Sequence, residues 1–290
     1  MQGIVATHAP ALLRRTEPED IRFLRLAEDR TTTVRTITLP TDTDEAAKYV
    51  REGVLAYPEL YFSRFVILGE GDSEQIILPR VLAAAGIAED DLSISVVPLG
   101  GRHVNHFWRL LEQLKIPYVT LLDLDCGRYQ GGWGRVKYAV DQLKIIRPDE
   151  TAGWDIEEIP AWDSSRDFPG FADDEWIERL EEQGVFFSFP LDLDLMLLNA
   201  YPGAYEVEKA TPIQSAMKAV LGKKCANVDQ LDTYLQLFDE YQRQFKLRSK
   251  PASHISAMSK LTNEELLEAL PQPLQRLVRH LRERLETIPE

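Results

Sequence analysis

The most constraining feature of this sequence is a run of alternating strands and helices between residues 65 and 125. Two of its segments, about 72–85 and 104–114, have the pattern of helices. Between and around them lie short apolar segments that end at glycine or aspartate and are typical of buried strands: 65–68, 94–97 and 118–122. Strands that alternate with helices predict an α/β fold, with a mostly parallel sheet between helical layers.

The segments before this run predict a mixture of strands and one helix. Residues 2–7 are apolar and β-prone, and residues 21–27 and 33–39 are expected to form two strands around a polar turn. A helical pattern then covers about 44–57.

After the run, residues 148–175 contain three prolines among acids, glycine and tryptophan, which predicts a loop-rich excursion. Residues 185–189 restore a strand. The remainder is predicted to be helical, over 228–245, about 252–260 and about 262–285.

Three of the predicted strands are followed by pairs of acidic residues. In a parallel sheet the carboxyl ends of the strands lie at one edge, where ligands bind. Several carboxylates at one edge repel each other unless they are protonated or bind cations. We therefore predict a divalent-cation site at this edge, and each pair taken alone also fits an ordinary helix cap. The six candidate ligands are Glu70, Glu74, Asp123, Asp125, Asp192 and Asp194.

The charge distribution limits the kind of nucleic-acid binding that the chain can show. A net charge of −14 argues against a generally basic nucleic-acid binder, and it fits a site that is rich in carboxylates. Residues 149–182 hold thirteen acids, whereas residues 243–284 hold nine lysines and arginines against four glutamates. A basic strip of this kind can contact phosphates, and an ordinary solvated helix face explains it equally well.

Other classes of protein are disfavoured by what the sequence lacks. No run of eighteen apolar residues is present, and the N-terminus has neither a basic region nor a cleavage site of a signal peptide. The two cysteines, Cys126 and Cys225, cannot form a disulfide framework or a four-cysteine zinc site. We expect a cytoplasmic protein that does not contact membranes.

Three motifs together resemble a known domain. They are Phe65-Val66-Ile67-Leu68-Gly69-Glu70-Gly71-Asp72-Ser73-Glu74, Val97-Pro98-Leu99-Gly100-Gly101 and Leu122-Asp123-Leu124-Asp125. This combination resembles the Toprim domain, and within it the C-terminal half of nucleases of the OLD (overcoming lysogenisation defect) family. The resemblance implies a Rossmann-like Toprim fold with an additional helical part and metal-dependent DNA cleavage. It also implies that Glu70, Glu74, Asp123 and Asp125 bind the metal, with Glu70 central to catalysis.

The same resemblance suggests two further site elements. The family has a late acidic motif, which Asp192-Leu193-Asp194 matches with aspartate where glutamate is expected at the last position, so which of the two aspartates binds metal stays open. The family also has a late lysine ahead of a helix, which Ser249-Lys250-Pro251 matches. We expect Lys250 to neutralise charge on the scissile phosphate, and a solvated basic residue is the alternative.

The N-terminal segment 3–10 resembles the end of an ABC-type ATPase domain, where a histidine, here His8, faces the nucleotide. No complete phosphate-binding loop motif is present in this sequence. We therefore expect the tail of an ATPase domain with a linker (1–60), a Toprim core (61–147), an acidic excursion (148–184), and a final part with the late acidic motif, Lys250 and C-terminal helices (185–290). Association with a separate ATPase portion and a homodimer are both compatible with this division.

The predicted function is endonucleolytic cleavage of DNA with two Mg²⁺ or Mn²⁺ ions, about 4 Å apart. Three alternatives remain open. One is a phosphatase-like enzyme with Asp123 as nucleophile, which leaves Glu70 and Glu74 unexplained. Another is a topoisomerase or primase, which needs modules that the sequence does not show. The third is a catalytically inactive module that docks DNA or a partner.

Overall fold

The computed structural model describes residues 3–27, 29–39, 55–87, 93–100, 104–170, 174–207 and 214–288. The N-terminal part contains one short helix and one hairpin. Helix α1 covers Pro10–Leu13, and strands β1 (Arg22–Leu26) and β2 (Thr32–Thr36) pair antiparallel as a separate two-stranded sheet. The hairpin confirms the two strands and the polar turn predicted for 21–39.

A four-stranded parallel sheet forms the centre of the molecule, in the spatial order β4-β3-β5-β6. Its strands are β3 (Phe65–Gly69), β4 (Ile94–Pro98), β5 (Tyr118–Asp123) and β6 (Val185–Ser188). The helices between them are α2 (Asp72–Ala84), α3 (Val104–Leu114), α4 (Trp133–Ile146) and α5 (Glu175–Glu182). This arrangement is the α/β fold that the alternation predicts.

The sheet is buried by helices because its strands are apolar along their whole length. Every residue of β3 and β6 is buried, as is every residue of β5 except Asp123 at its end. Strands that are apolar on both faces require cover on both faces. A hydrogen bond from the Trp108 indole to the Thr120 hydroxyl, 2.8 Å long, satisfies the polar groups that this packing buries.

The C-terminal part is helical, as predicted, and its helices are shorter than expected. They are α6 (Leu193–Ala200), α7 (Gln214–Leu221), α8 (Asp232–Leu235), α9 (Phe238–Gln242), α10 (Lys250–Met258), α11 (Asn263–Glu268) and α12 (Gln272–Thr287). A π-helical turn, Arg243–Leu247, continues α9. Helix α10 lies against α2, and α12 packs on β6.

Three expectations differ from the structure or lie outside it. Residues 3–9 form no strand, and no described strand pairs with them. The helix predicted over 262–285 is two helices, because Pro271 cannot continue a helix and instead precedes the first turn of α12. The helix predicted for 44–57 falls mostly outside the described residues. In the part of the chain that is described, no helix is long and apolar enough to cross a membrane.

Candidate active site

The predicted acidic residues meet because β3, β5 and β6 are neighbours in the sheet. Gly69 is paired with Leu121, and Asp123 is paired with Ser188, so these three strands end side by side. Glu70 follows β3 directly, and Asp123 is the last residue of β5. The carboxyl edge of the sheet therefore carries Glu70 and Asp123, and Asp192 caps the helix that follows β6.

Asp123 lies at the centre of this group. Its Oδ1 accepts a hydrogen bond of 2.9 Å from the Ser188 hydroxyl. Among the described residues, no hydrogen bond reaches its Oδ2, and the residue is partly exposed. Burial, and then the charges of the neighbouring acids, raise the pKa of Asp123 well above its ordinary value. The acids responsible are Glu70, Asp192, Glu74 and Asp125.

Glu70 and Glu74 are positioned by the tight connection between β3 and α2. The Glu70 Oε1 accepts the backbone N–H of Asp123 at 3.0 Å, which links the ends of β3 and β5. The Glu74 Oε2 accepts the backbone N–H of Gly71 at 2.7 Å as part of a helix-capping interaction. Glu74 is 3% exposed, and burial, reinforced by Asp194 and Glu70, raises its pKa to about 8.

Two arginines that sequence reasoning missed lie between the carboxylates. Arg135, on α4, is 3.1 Å from Glu70 Oε2 and 2.7 Å from Asp125 Oδ2. Arg128, in the loop after β5, is 2.5 Å from Asp125 Oδ1 and 3.1 Å from the Asp192 Oδ2. Both oxygens of Asp125 are thus held by guanidinium groups. In this structure the arginines supply the positive charge that a cation would otherwise bring.

Asp192 caps helix α6 and belongs to the same network. Its Oδ1 accepts the Leu195 N–H at 3.0 Å, and its Oδ2 accepts the Tyr241 hydroxyl at 2.6 Å in addition to the Arg128 contact. Burial and Asp194 raise the pKa of Asp192, against the opposing effect of Arg128. The contacts of Asp192 give it a structural role in joining α6, α9 and the β5 loop.

Asp194 is oriented differently, toward α2 and α10. Its Oδ1 accepts the Ser73 hydroxyl at 2.6 Å and lies 2.9 Å from Nε2 of His254, and its Oδ2 lies 2.5 Å from the Lys250 ammonium. Burial would raise the pKa of Asp194, but His254 and Lys250 outweigh it and lower the pKa to about 2. Burial would likewise lower the pKa of Lys250, but Asp194 raises it. Both groups are therefore charged near neutral pH.

The chemistry of this donor set fits oxygen-preferring divalent cations. Among the described residues, Asp123 Oδ2 accepts no hydrogen bond and Glu74 accepts only backbone N–H groups, so neither carboxylate has to give up an arginine or lysine contact to bind a cation. Glu70 and Asp125 could contribute only by exchanging their contacts with Arg135 and Arg128. Accordingly, within the described ranges no three His, Cys, Asp or Glu side chains already form a metal-binding group. The assignment of the six acids as ligands stays a prediction.

Two other residues that the sequence analysis considered lie in different surroundings. The exposed His8 packs against the ring of Phe62, at 5.7 Å between centroids. Cys126 is fully buried, and burial followed by Asp125 raises the pKa of its thiol. A thiol in such surroundings is a poor nucleophile.

Comparisons with known proteins agree with the fold. Residues 61–125 match the family model of the Overcoming lysogenization defect protein-like TOPRIM domain. The C-terminal region of the Burkholderia pseudomallei OLD protein aligns with a TM-score of 0.52 and 21% identity, over 77% of this chain and 99% of that one. The C-terminal region of the Xanthomonas campestris pv. campestris OLD protein aligns with a TM-score of 0.49 and 21% identity, over 79% and 96%.

The search of curated proteins gave no match. The matched segment contains β3, β4, β5 and four of the predicted site residues, Glu70, Glu74, Asp123 and Asp125. At 21% identity, the Burkholderia pseudomallei structure supports the fold alone. Residues 61–125 thus match an OLD-like Toprim domain.

Proposed function

We propose that this chain is a divalent-metal-dependent DNA endonuclease. The observation that carries the proposal is the group of four carboxylates around Asp123, at the carboxyl edge of an OLD-like Toprim sheet, with one Asp123 oxygen that accepts no hydrogen bond from the described residues. Toprim domains generally use divalent metals. Clustered acids with raised pKa values are typical of sites that bind such ions.

In the proposed reaction, some of these residues would bind the metal, and others would orient a metal ligand or stabilise charge on the phosphate. Asp123 and Glu74 would hold Mg²⁺ or Mn²⁺ through their available oxygens, and Glu70 and Asp125 would join them when the arginines move aside. Bound ions of this type polarise phosphoryl oxygens and acidify water. Ser188 keeps Asp123 oriented through its 2.9 Å hydrogen bond. The Lys250 side chain is 38% exposed, so its ammonium is accessible to a phosphate oxygen and would stabilise negative charge that develops there.

The acidic centre alone would repel DNA, the proposed substrate. Cations in the centre, together with Lys250, Arg128 and Arg135, would convert this edge into a surface that attracts phosphates. Association with an ATPase portion remains a further proposal, supported only by the resemblance of segment 3–10.

One observation favours a second candidate, a catalytically inactive module that docks DNA or a partner. Arg128 and Arg135 already neutralise Glu70, Asp125 and Asp192, and a site in which they never move would bind no second ion. The two candidates differ in whether phosphodiester bonds are broken.

A plasmid-cleavage assay distinguishes the nuclease from the docking module. Supercoiled plasmid is incubated with the protein in Mg²⁺, Mn²⁺, Ca²⁺ or EDTA. We expect nicked or linear DNA with Mg²⁺ or Mn²⁺ and none with EDTA. Asp123→Asn should lower the rate about a hundredfold or more, since it removes the central charge. Asp149→Asn, at an exposed position, serves as the matched control and should cleave at the wild-type rate. Retained DNA binding without cleavage in Mn²⁺ would favour the docking module.

A further inference from the structure

Three buried polar side chains form a hydrogen-bonded chain that ends at the ammonium group of Lys250. It runs from Tyr205 through His254 to Asp194, which contacts the Lys250 ammonium. His254 is completely buried, Asp194 is 1% exposed and Tyr205 is 3% exposed. Polar groups this deeply buried are costly unless they are bonded to each other, and here each of them is.

The direction of the hydrogen bonds follows from their partners. Burial raises the pKa of Tyr205, so its hydroxyl keeps its proton, and we assign it as the donor to His254 Nδ1, 2.7 Å away. The ring proton of His254 is then assigned to Nε2, which donates to Asp194 at 2.9 Å. The histidine ring stacks on Phe245, with centroids 5.0 Å apart and planes at 23°, and this packing favours one ring orientation.

Asp194 joins three helices through these contacts. It lies in the first turn of α6 and accepts a hydrogen bond from Ser73 of α2. It also contacts His254 and Lys250, which both lie on α10. Lys250 and His254 are four residues apart and thus lie on the same face of α10. With Oδ1 shared by Ser73 and His254, only Oδ2 remains for Lys250.

We propose that Tyr205, His254 and Asp194 form a positioning relay for Lys250, and that Asp194 acts as the counter-ion of that lysine. The relay fixes the carboxylate, and the carboxylate fixes the ammonium where it can meet a phosphate oxygen. This inference rests on the proposed nuclease function, to which it adds three residues that act through Lys250. A preorganised ammonium contributes to the rate of the chemical step more than to DNA affinity.

Two variants remove hydrogen bonds and keep an aromatic ring, and a third restores one hydrogen-bond donor. Tyr205→Phe removes the hydroxyl, His254→Phe removes both ring nitrogens and preserves stacking on Phe245, and His254→Gln restores one donor toward Asp194. Tyr201→Phe is the matched control, since Tyr201 is also buried beside α6 but donates to the Leu266 carbonyl, at 2.6 Å.

Single-turnover cleavage at saturating protein, paired with DNA affinity in Ca²⁺, measures the effect. His254→Phe should lower the rate about tenfold to a hundredfold with unchanged affinity, His254→Gln should recover part of the loss, and Tyr205→Phe should show a smaller loss. In a Lys250→Ala background, His254→Phe should lower the rate no further, because it acts through the missing lysine. Additive losses, or an equal loss in Tyr201→Phe, would show a merely structural role and overturn the relay.

A second readout does not need cleavage. Lys250 should be acylated faster by an amine-modifying reagent in His254→Phe and Tyr205→Phe than in wild-type protein or Tyr201→Phe, as measured by mass spectrometry of the peptide. Unchanged labelling in both relay variants would overturn the proposal. If wild-type protein does not cleave DNA while labelling responds as expected, the nuclease function fails and the positioning of Lys250 by the relay stands.

Discussion

At the scale of single residues, the acids at the sheet edge are neutralised in three different ways. Glu70 and Asp125 contact arginine, and Asp194 contacts a lysine and a histidine. Glu74 has no cationic partner among the described residues, and its raised pKa favours protonation instead. Protonation holds an acid in place without a cation and is reversed when a cation binds. Glu74 is therefore the acid whose state should depend most on pH.

The pKa of Glu74 gives the first prediction. Because the folded pKa of about 8 exceeds the unfolded value of 4.5, the folded protein binds the extra proton between these pH values. In EDTA, this group's contribution to the free energy of unfolding is present below about pH 4.5 and is lost as pH rises to about 8. Glu74→Gln should flatten that decline by at most about 1.4 kcal/mol per pH unit. Urea unfolding at pH 5 and at pH 8, in EDTA, measures this change in the free energy of unfolding.

Glu178→Gln is the matched control for this experiment, because Glu178 is exposed on α5. It should leave the pH dependence as in the wild-type protein. A slope for Glu74→Gln equal to that of wild type would show that Glu74 is already ionised in the metal-free fold.

The acidic residues of the site could be predicted from the sequence, whereas their partners could not. Asp123 and Glu70 follow apolar strands, and strand order in a parallel α/β sheet brings such positions together. Arg128 and Arg135 lie on a loop and a helix with no local pattern that marks them. His254 is four residues after Lys250, a spacing that could have indicated a shared helix face. Tyr205 pairs with it only through the tertiary fold.

At the scale of elements, the turn from β3 to α2 needs a glycine at position 69 so that Glu74 can pack against it. Gly69 ends β3, and Glu74 crosses directly over it from the first turn of α2. A methyl group on Gly69 would overlap Cβ and Cγ of Glu74. At Gly71, whose backbone is extended, a methyl group would lie 3.8 Å from Glu74 Oε2 in ordinary contact.

Gly69→Ala should therefore reduce the free energy of unfolding by about 1–3 kcal/mol, as expected for overpacking a closed contact. Gly71→Ala, two residues away, should cost less than about 1 kcal/mol, because only the preference at the helix cap changes. Equilibrium urea unfolding of both variants provides the comparison. Equal stabilities for the two would mean that Glu74 does not lie over Gly69.

Elements with strong local signals could be predicted from the sequence, and those defined by packing could not. The apolar segments of β3, β4 and β5 are confirmed closely, and so is the end of α2 before Gly86, whose φ of 75° favours glycine. The apolar segment before Pro10 is not a strand, because a strand exists only with a partner. Asp192 and Asp194 follow β6 as expected, but a helix begins between them, so their side chains reach different partners.

At the scale of the whole molecule, the uneven charge in the sequence is partly neutralised by folding. The basic strip over 243–284 is not a continuous free surface, since Arg276 pairs with Glu181, Lys260 with Glu206 and Arg243 with Glu240. With a net charge of −14, DNA would approach an acidic protein. Cation binding at the sheet edge is therefore what the proposed function needs most.

The binding of Mn²⁺ to metal-free protein, measured by calorimetry, tests this requirement most directly. We expect wild-type protein and Asp149→Asn to bind Mn²⁺ with similar affinity. Asp123→Asn should bind it about tenfold more weakly or worse, because the mutation removes the carboxylate at the centre of the acids. Absence of Mn²⁺ binding by wild-type protein, or equal affinity in Asp123→Asn, would contradict the assignment of the sheet edge as a cation-dependent nuclease centre.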